Sequence, residues 1–154
     1  MAAGIPVRVV PGVSSALAVP AACGIPVTHR GVSHSFTVIS GHVPPSAGEY
    51  AALAGLGGTI VILMGIANLE QIVAGLGRAG LGTAVPAAVI ERGYSDSQRS
   101  TFTTVGQLTA DARRLDIGSP AVVVIGEVVS AAPRLAGSED LLVALSSLGA
   151  GAGG

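Results

Sequence analysis

Few side chains in this 154-residue chain can do covalent chemistry, and their types narrow the options. All 8 basic residues are arginine, so a lysine nucleophile or Schiff base is excluded. A guanidinium grips a carboxylate bidentately, with more direction than an ammonium. Read one at a time, each arginine is a solvated surface charge or half of a local ion pair. Arg78, Arg113 and Arg114 fall at helix ends, where that reading suffices. His29, His34 and His42 lack the spacing of a helical metal site. Serine, histidine and aspartate are all present, but no G-x-S-x-G nucleophile elbow is. Cys23 is the single cysteine, which excludes an internal disulfide and a cysteine-rich zinc site. Among small apolar neighbours it reads as a buried filler. Residues 75–80 (GLGRAG) match the G-x-G-x-x-G of dinucleotide sites. That fingerprint works between a strand and a helix start, where amides face a pyrophosphate. Here it falls at a helix end, as a glycine C-cap and turn, which argues against a nicotinamide enzyme.

Such residues act only where secondary structure positions them. VRVV at 7–10 is short and β-branched, which predicts a strand closed by Pro11-Gly12. Ser14 or Ser15 caps a small-residue helix running to about Cys23, and Pro20 keeps it short or kinked. SFTVIS at 35–40 alternates as a half-buried strand does. Ser46 and Glu49 have capping-box spacing, and the helix behind them stops near Gly57 and Gly58. TIVILM at 59–64 is continuously apolar, as a strand covered on both faces is. Asn68 and Gln71 repeat the capping spacing, and Leu69, Ile72, Val73 and Leu76 form one helical stripe. Strands are predicted over 87–91 and 100–105. Thr104 and Gln107 again have capping spacing, ahead of a stripe of Leu108, Ala112 and Leu115. AVVVIG at 121–126 is a second doubly covered strand. The order β-α-β-α-β-α-β-β-α-β predicts an α/β fold, a largely parallel or mixed sheet flanked by helices. Residues 138–148 are compatible with a helix. The glycine-rich 149–154 has nothing to bury and is expected to be disordered.

Six segments stand out when read in order. They are Val9-Val10-Pro11-Gly12-Val13-Ser14-Ser15-Ala16, Gly24-Ile25-Pro26-Val27-Thr28-His29-Arg30, Ser40-Gly41-His42 and Leu63-Met64-Gly65. Then come Ile90-Glu91-Arg92-Gly93 with Gln98-Arg99, and Ser119-Pro120-Ala121 leading to Gly126-Glu127-Val128-Val129. Together, over about residues 4–130, they resemble the tetrapyrrole (corrin/porphyrin) methylase family. Thr28-His29-Arg30 and the Glu91-Arg92-Gly93 loop point within it to the members that methylate uroporphyrinogen III. The resemblance implies a module of two α/β lobes with S-adenosyl-L-methionine between them. On that basis residues 1–30 are a remnant of the first lobe and linker. Residues 31–131 are the second α/β lobe, and 132–154 a Gly/Ala-rich, partly disordered tail. The family's Gly-Pro-Gly-Asp and Gly-Gly-Asp-Pro loops do not occur in this sequence. The expectation is an incomplete module that binds the donor weakly by itself and turns over little.

The resemblance also implies roles. Ser14 and Ser15 face the methyl donor from a helix N-terminus, a setting that suits a carboxylate. Met64 and Gly93 meet it largely through their backbones at strand ends, where ligands collect in open α/β sheets. Ala121, with Pro120, lies near the adenine. Arg30, Arg92 and Arg99 take substrate carboxylates, and His29 contacts the substrate. The bland alternatives are an N-cap serine, a core methionine, a turn glycine and surface arginines. The implied reaction methylates C-2 and C-7 of uroporphyrinogen III to precorrin-2, on the way to sirohaem or cobalamin, in a homodimer. No catalytic base is indicated. A non-catalytic α/β binding or dimerisation domain, or another tetrapyrrole methylase, remains the alternative.

Composition bounds the rest. Hydrophobic residues make up 49% and charged residues 11%, enough apolar surface to offset chain entropy and fold. The apolar runs at 59–65 and 121–126 fall well short of the ~20 residues a bilayer core requires, so no membrane partner is expected. A net charge of −1 offers no basic surplus for nucleic acid. The N-terminus lacks the charged stretch and apolar core of a signal peptide, and a cytoplasmic setting is expected.

Overall fold

The two continuous apolar runs become neighbouring strands in the middle of a sheet, for the reason their composition suggests. The computed structural model describes residues 7–132. Along the chain the elements are α1 (Ser15–Ala22), β1 (Phe36–Ser40), α2 (Ala47–Leu56), β2 (Thr59–Leu63) and a 3-10 turn (Ile66–Asn68). Then follow α3 (Leu69–Arg78), β3 (Pro86–Glu91), β4 (Arg99–Thr104), α4 (Leu108–Arg114), β5 (Ala121–Ile125) and α5 (Val128–Ala131). The five strands form one mixed sheet in the order β1-β2-β5-β3-β4. Only β1 and β2 are parallel; the β2–β5, β5–β3 and β3–β4 pairs are antiparallel.

Successive strand residues point to opposite faces, and both faces are covered. Ile60, Ile62, Val89, Val123 and Ile125 pack with Tyr50 and Leu53 of α2, Leu69, Ile72 and Leu76 of α3, and Leu108 of α4. Their neighbours Val61, Ala88, Ile90, Val122 and Val124 pack with Ala16 and Val19 of α1, Ile25, and Val128 and Val129 of α5. Each fully buried valine or isoleucine contributes about 1.5–3 kcal/mol. The flanking strands are covered less completely: Phe36, Val38 and Phe102 stay partly exposed.

Register decides where ligands can gather. Ser40 pairs with Leu63, Leu63 with Val122, Ala121 with Glu91, and Glu91 with Arg99. One edge of the sheet therefore collects the carboxyl ends of β1, β2 and β3 and the amino ends of β4 and β5.

Local signals held where a side chain had a backbone partner to reach. Ser14 caps α1, accepting from the Ala16 amide at 3.2 Å. Ser46 and Glu49 form a full capping box, and Gly57 ends α2 in the left-handed region. Residues 75–80 lie at the end of α3, as expected. Gly80 adopts a φ of 96°, and the Leu81 and Gly80 amides bond to the Leu76 and Gly77 carbonyls, a Schellman closure.

Other expectations need correction. Residues 7–10 form no strand: Val7, Val9 and Val10 are 66%, 85% and 79% exposed, and no described strand pairs with them. A β-branched run without a ladder partner gains nothing from its propensity. Asn68 and Gln71 make no capping box, because the 3-10 turn runs straight into α3 and leaves no cap to fill. The Asn68 amide instead donates to the Gly41 and His42 carbonyls, both at 2.9 Å. Thr104 and Gln107 make none either, since Gln107 is itself the residue before α4 and caps nothing with its side chain. The single turn α5 was not foreseen. The readings for 138–148 and 149–154 lie outside the described residues.

Candidate functional site

The edge where β1, β2 and β3 end opens into a cavity of about 670 Å³. Ser15 and Val19 of α1 form one wall. Leu63, Met64 and Ala67 after β2, with His42 after β1, form a second. Ile90, Arg92 and Gly93 at the end of β3, and Ser119–Val122 at the start of β5, form the rest. The volume is that of a pocket for a small organic ligand, about 300–1,000 Å³.

Backbone geometry shapes this cavity more than side-chain chemistry does. Met64 and Arg92 sit at positive φ, 55° and 48°, a conformation that costs a non-glycine residue about 1–3 kcal/mol. A Cβ on Gly93 would lie 2.6 and 2.8 Å from the Val19 methyls, so glycine is what lets α1 close on the β3 end. In the turns that carry His42 and Met64, a Cβ on Gly41 would lie 2.5 Å from the Gly65 Cα. The two Asn68 hydrogen bonds fix that same Gly41-His42 turn.

One buried carboxylate stands behind the cavity. Glu91 is 2% exposed, and its Oε1 accepts from the Arg99 guanidinium at 2.8 Å and the Gly118 amide at 3.1 Å. Arg92 comes within 4.0 Å of the same oxygen. Burial alone pushes the Glu91 carboxyl up. Bonds from Arg99 and Gly118, with the charges of Arg99 and Arg92, outweigh it and hold the group below its ordinary value.

Thus Ser15, Met64, Arg92, Gly93 and Ala121 come together around one cavity. Ser14 stands just outside it as the α1 cap. His29 and Arg30 do not join them; with Thr28, Ser33 and His34 they line a separate polar hollow of about 260 Å³. The His29 ring bonds to the Arg30 carbonyl at 2.9 Å through Nδ1. Arg99 is engaged by Glu91 and by the Asp116 carbonyl, at 3.2 Å, though its side chain stays half exposed. Arg78 is a surface charge; Arg113 pairs with Glu70, and Arg114 with Asp111. Cys23 is only half buried, within 3.7 Å of the Gln98 amide, and burial raises its thiol pKa. His42, Ala67 and Ser119 line the cavity without having been assigned a role. His42 and Ser119 lay inside motif segments; Ala67 carried no signal at all.

A second hollow of about 480 Å³ lies between β1 and α2. Its walls are mostly apolar, and its one charged residue, Glu49, is spent on the capping box. Among the described residues no group of three or more His, Cys, Asp or Glu could hold a metal ion, and no helix is long and apolar enough to cross a membrane.

Residues 1–109 match the model of the Tetrapyrrole (Corrin/Porphyrin) Methylases. The chain belongs to the tetrapyrrole methylase family. The S-adenosyl-L-methionine-dependent uroporphyrinogen III methyltransferase of Methanosarcina barkeri (strain Fusaro / DSM 804) is 44% identical over 126 residues, covering 79% of this chain and 49% of that protein. The uroporphyrinogen-III C-methyltransferase of Pseudomonas aeruginosa PAO1 is 40% identical over 126 residues, covering 81% and 51%. This chain thus spans about half the length of these relatives. Among solved structures, the uroporphyrin-III C-methyl transferase from Thermus thermophilus, complexed with S-adenyl homocysteine, superposes with a TM-score of 0.67 at 32% identity. That match covers 83% of this chain and 56% of the other. The mixed sheet between two helical layers is therefore a tetrapyrrole methylase fold, with the cavity at its strand ends.

Proposed function

We propose that this tetrapyrrole methylase chain supplies the binding surface for S-adenosyl-L-methionine in the C-methylation of uroporphyrinogen III at C-2 and C-7. The supporting observation is the single cavity that gathers Ser15, Met64, Gly93 and Ala121 from four separated segments. The residues fit such a donor. The α1 N-terminus, with Ser14 and Ser15, suits a carboxylate. Bare backbone at Gly93 and the apolar Val19, Leu63 and Ile90 suit the apolar and aromatic parts of the donor. When bound, the donor's sulfonium supplies an already activated methyl group. What remains for the chain is alignment and exclusion of water, so proximity and orientation dominate. Arg92 is placed to take an anionic group at the cavity rim. Arg30 and His29, in their own polar hollow, and the exposed part of Arg99 serve the substrate carboxylates. Residues 31–131 act as the second lobe of the module, and a homodimer in the cytoplasm is the working form. Exposed apolar side chains such as Met64, Phe36 and Val38 support self-association.

The test is a titration of the full 154-residue chain with S-adenosylhomocysteine, read from backbone amide shifts in NMR. Weak binding is expected, with Kd on the order of 0.1–1 mM and shifts centred on Ser15, Met64, Gly93 and Ala121. Shifts confined to other surfaces, or none at several millimolar ligand, would refute the assignment.

A further inference from the structure

Glu91 does not line the cavity, yet three chain segments converge on one of its oxygens. The segments are its own β3 end with Arg92, Arg99 at the start of β4, and Gly118 ahead of β5. Arg99 extends the tie to the Asp116 carbonyl. Closer to the cavity, the Arg92 amide donates to the Pro120 carbonyl at 2.8 Å. The two connections joined in this way carry Arg92-Gly93 on one side and Ser119-Pro120-Ala121 on the other, and both border the cavity.

Two residues tied to this cluster, Arg92 next in the chain and Asp116, whose carbonyl Arg99 reaches, hold positive φ without being glycine. Such conformations persist only where surrounding contacts over-determine them. A buried charge is also an expensive way to fill space, and an apolar residue of similar size often serves stability as well or better. A group that is costly, tied through one oxygen to three segments and set behind a strained rim fits a role in precision of placement.

We propose that the Glu91 carboxylate is the positioning residue of this site, holding the β3–β4 and α4–β5 connections at the separation a bound donor requires. This rests on the cavity being the donor site, so the experiment separates the two ideas. Amide hydrogen exchange is measured on the ligand-free full chain, wild type and Glu91→Gln, followed by the S-adenosylhomocysteine titration on each. The expected result is a loss of protection of tenfold or more at the Arg92 amide, little change at Ile72 in α3, and a Kd raised about tenfold. Arg99→Gln, which removes the main partner from a half-exposed position, is expected to do the same to a smaller degree, and Arg99→Lys to restore part of it. It also keeps the test available if Glu91→Gln does not fold. Unchanged protection at Arg92, or an equal loss at Arg92 and Ile72, overturns the proposal. Selective exchange with an unchanged Kd overturns it too, because the connections would then move without consequence for the ligand. A wild-type chain that ignores the ligand refutes the donor assignment instead, and the exchange pattern still decides whether Glu91 holds the two connections.

Discussion

The two ends of the sheet solve the same problem with different residues. Chain reversals at both ends need backbone in the left-handed region. Away from the cavity, Gly57, Gly80 and Gly126 supply it, the residue type that enters that region without strain. At the cavity end, Met64, Arg92, Tyr94 and Asp116 hold it without being glycine. Each of these forgoes the cheaper residue, and two of them line the cavity itself. One end is thus built for stability. The other carries backbone strain, and strain of this kind clusters at binding and catalytic sites.

If that division is right, mutations at the two ends should separate stability from binding. The largest effect is expected in the helical layer of α2, α3 and α4. Leu108 is fully buried there, and Leu108→Ala should cost about 2–5 kcal/mol in urea unfolding. Ligand affinity, measured where the variant is folded, should not change. Gly93→Ala is the counterpart at the cavity. Its methyl would press on Val19, so α1 must shift. The S-adenosylhomocysteine Kd should rise at least tenfold, about 1.4 kcal/mol, with a smaller loss of stability. Equal effects of the two variants on binding would erase the contrast.

The same contrast explains what could be read from sequence. The core and the helix start at Ser46 were legible because their signals are local. The apolar runs of β2 and β5, the α3 stripe and the Ser46–Glu49 box each carry their meaning within a few residues. Three-residue spacing alone misled at Asn68 and at Gln107, where a turn leads directly into the helix. Propensity alone misled at 7–10, where no neighbouring strand exists among the described residues. The cavity was legible only as scattered family motifs, since composition says nothing about Met64 or Gly93. Arg99 shows the limit most clearly. Its partner Glu91 lies across a strand pair, and only register places the two side by side. Ala67 owes its place to the turn after β2, which no spacing rule anticipates.

Met64 offers a sharper test with a smaller effect. Its side chain is 64% exposed, so little burial is lost on its removal. Met64→Gly should relieve the left-handed strain, worth about 1–2 kcal/mol, and give back part of that as chain entropy. A net gain of about 0.5–1 kcal/mol in thermal or urea unfolding is expected, together with weaker S-adenosylhomocysteine binding. A stability gain with unchanged binding would mean the strain serves no ligand.

The finest contrast concerns pH and the one acid that ties the cavity end together. Glu91 has a lower pKa in the fold than in the unfolded chain. Folding therefore favours its ionised form. That stabilisation is complete above the unfolded value of about 4.3 and is lost as pH falls from there through the folded pKa. The charged groups facing it are the Arg99 and Arg92 guanidiniums, with the Asp116 side chain acting on Arg99. Glu49 and Asp111 are also lowered by their own partners. They titrate alike in wild type and in Glu91→Gln, so they cancel in a difference. The difference in melting temperature between the two proteins should be constant from pH 7 to about 5 and shrink below about 4.3. A difference that stays flat into that range would mean the carboxylate holds Arg99 and the Gly118 amide no better charged than neutral, and the division between the two ends would then rest on backbone strain alone.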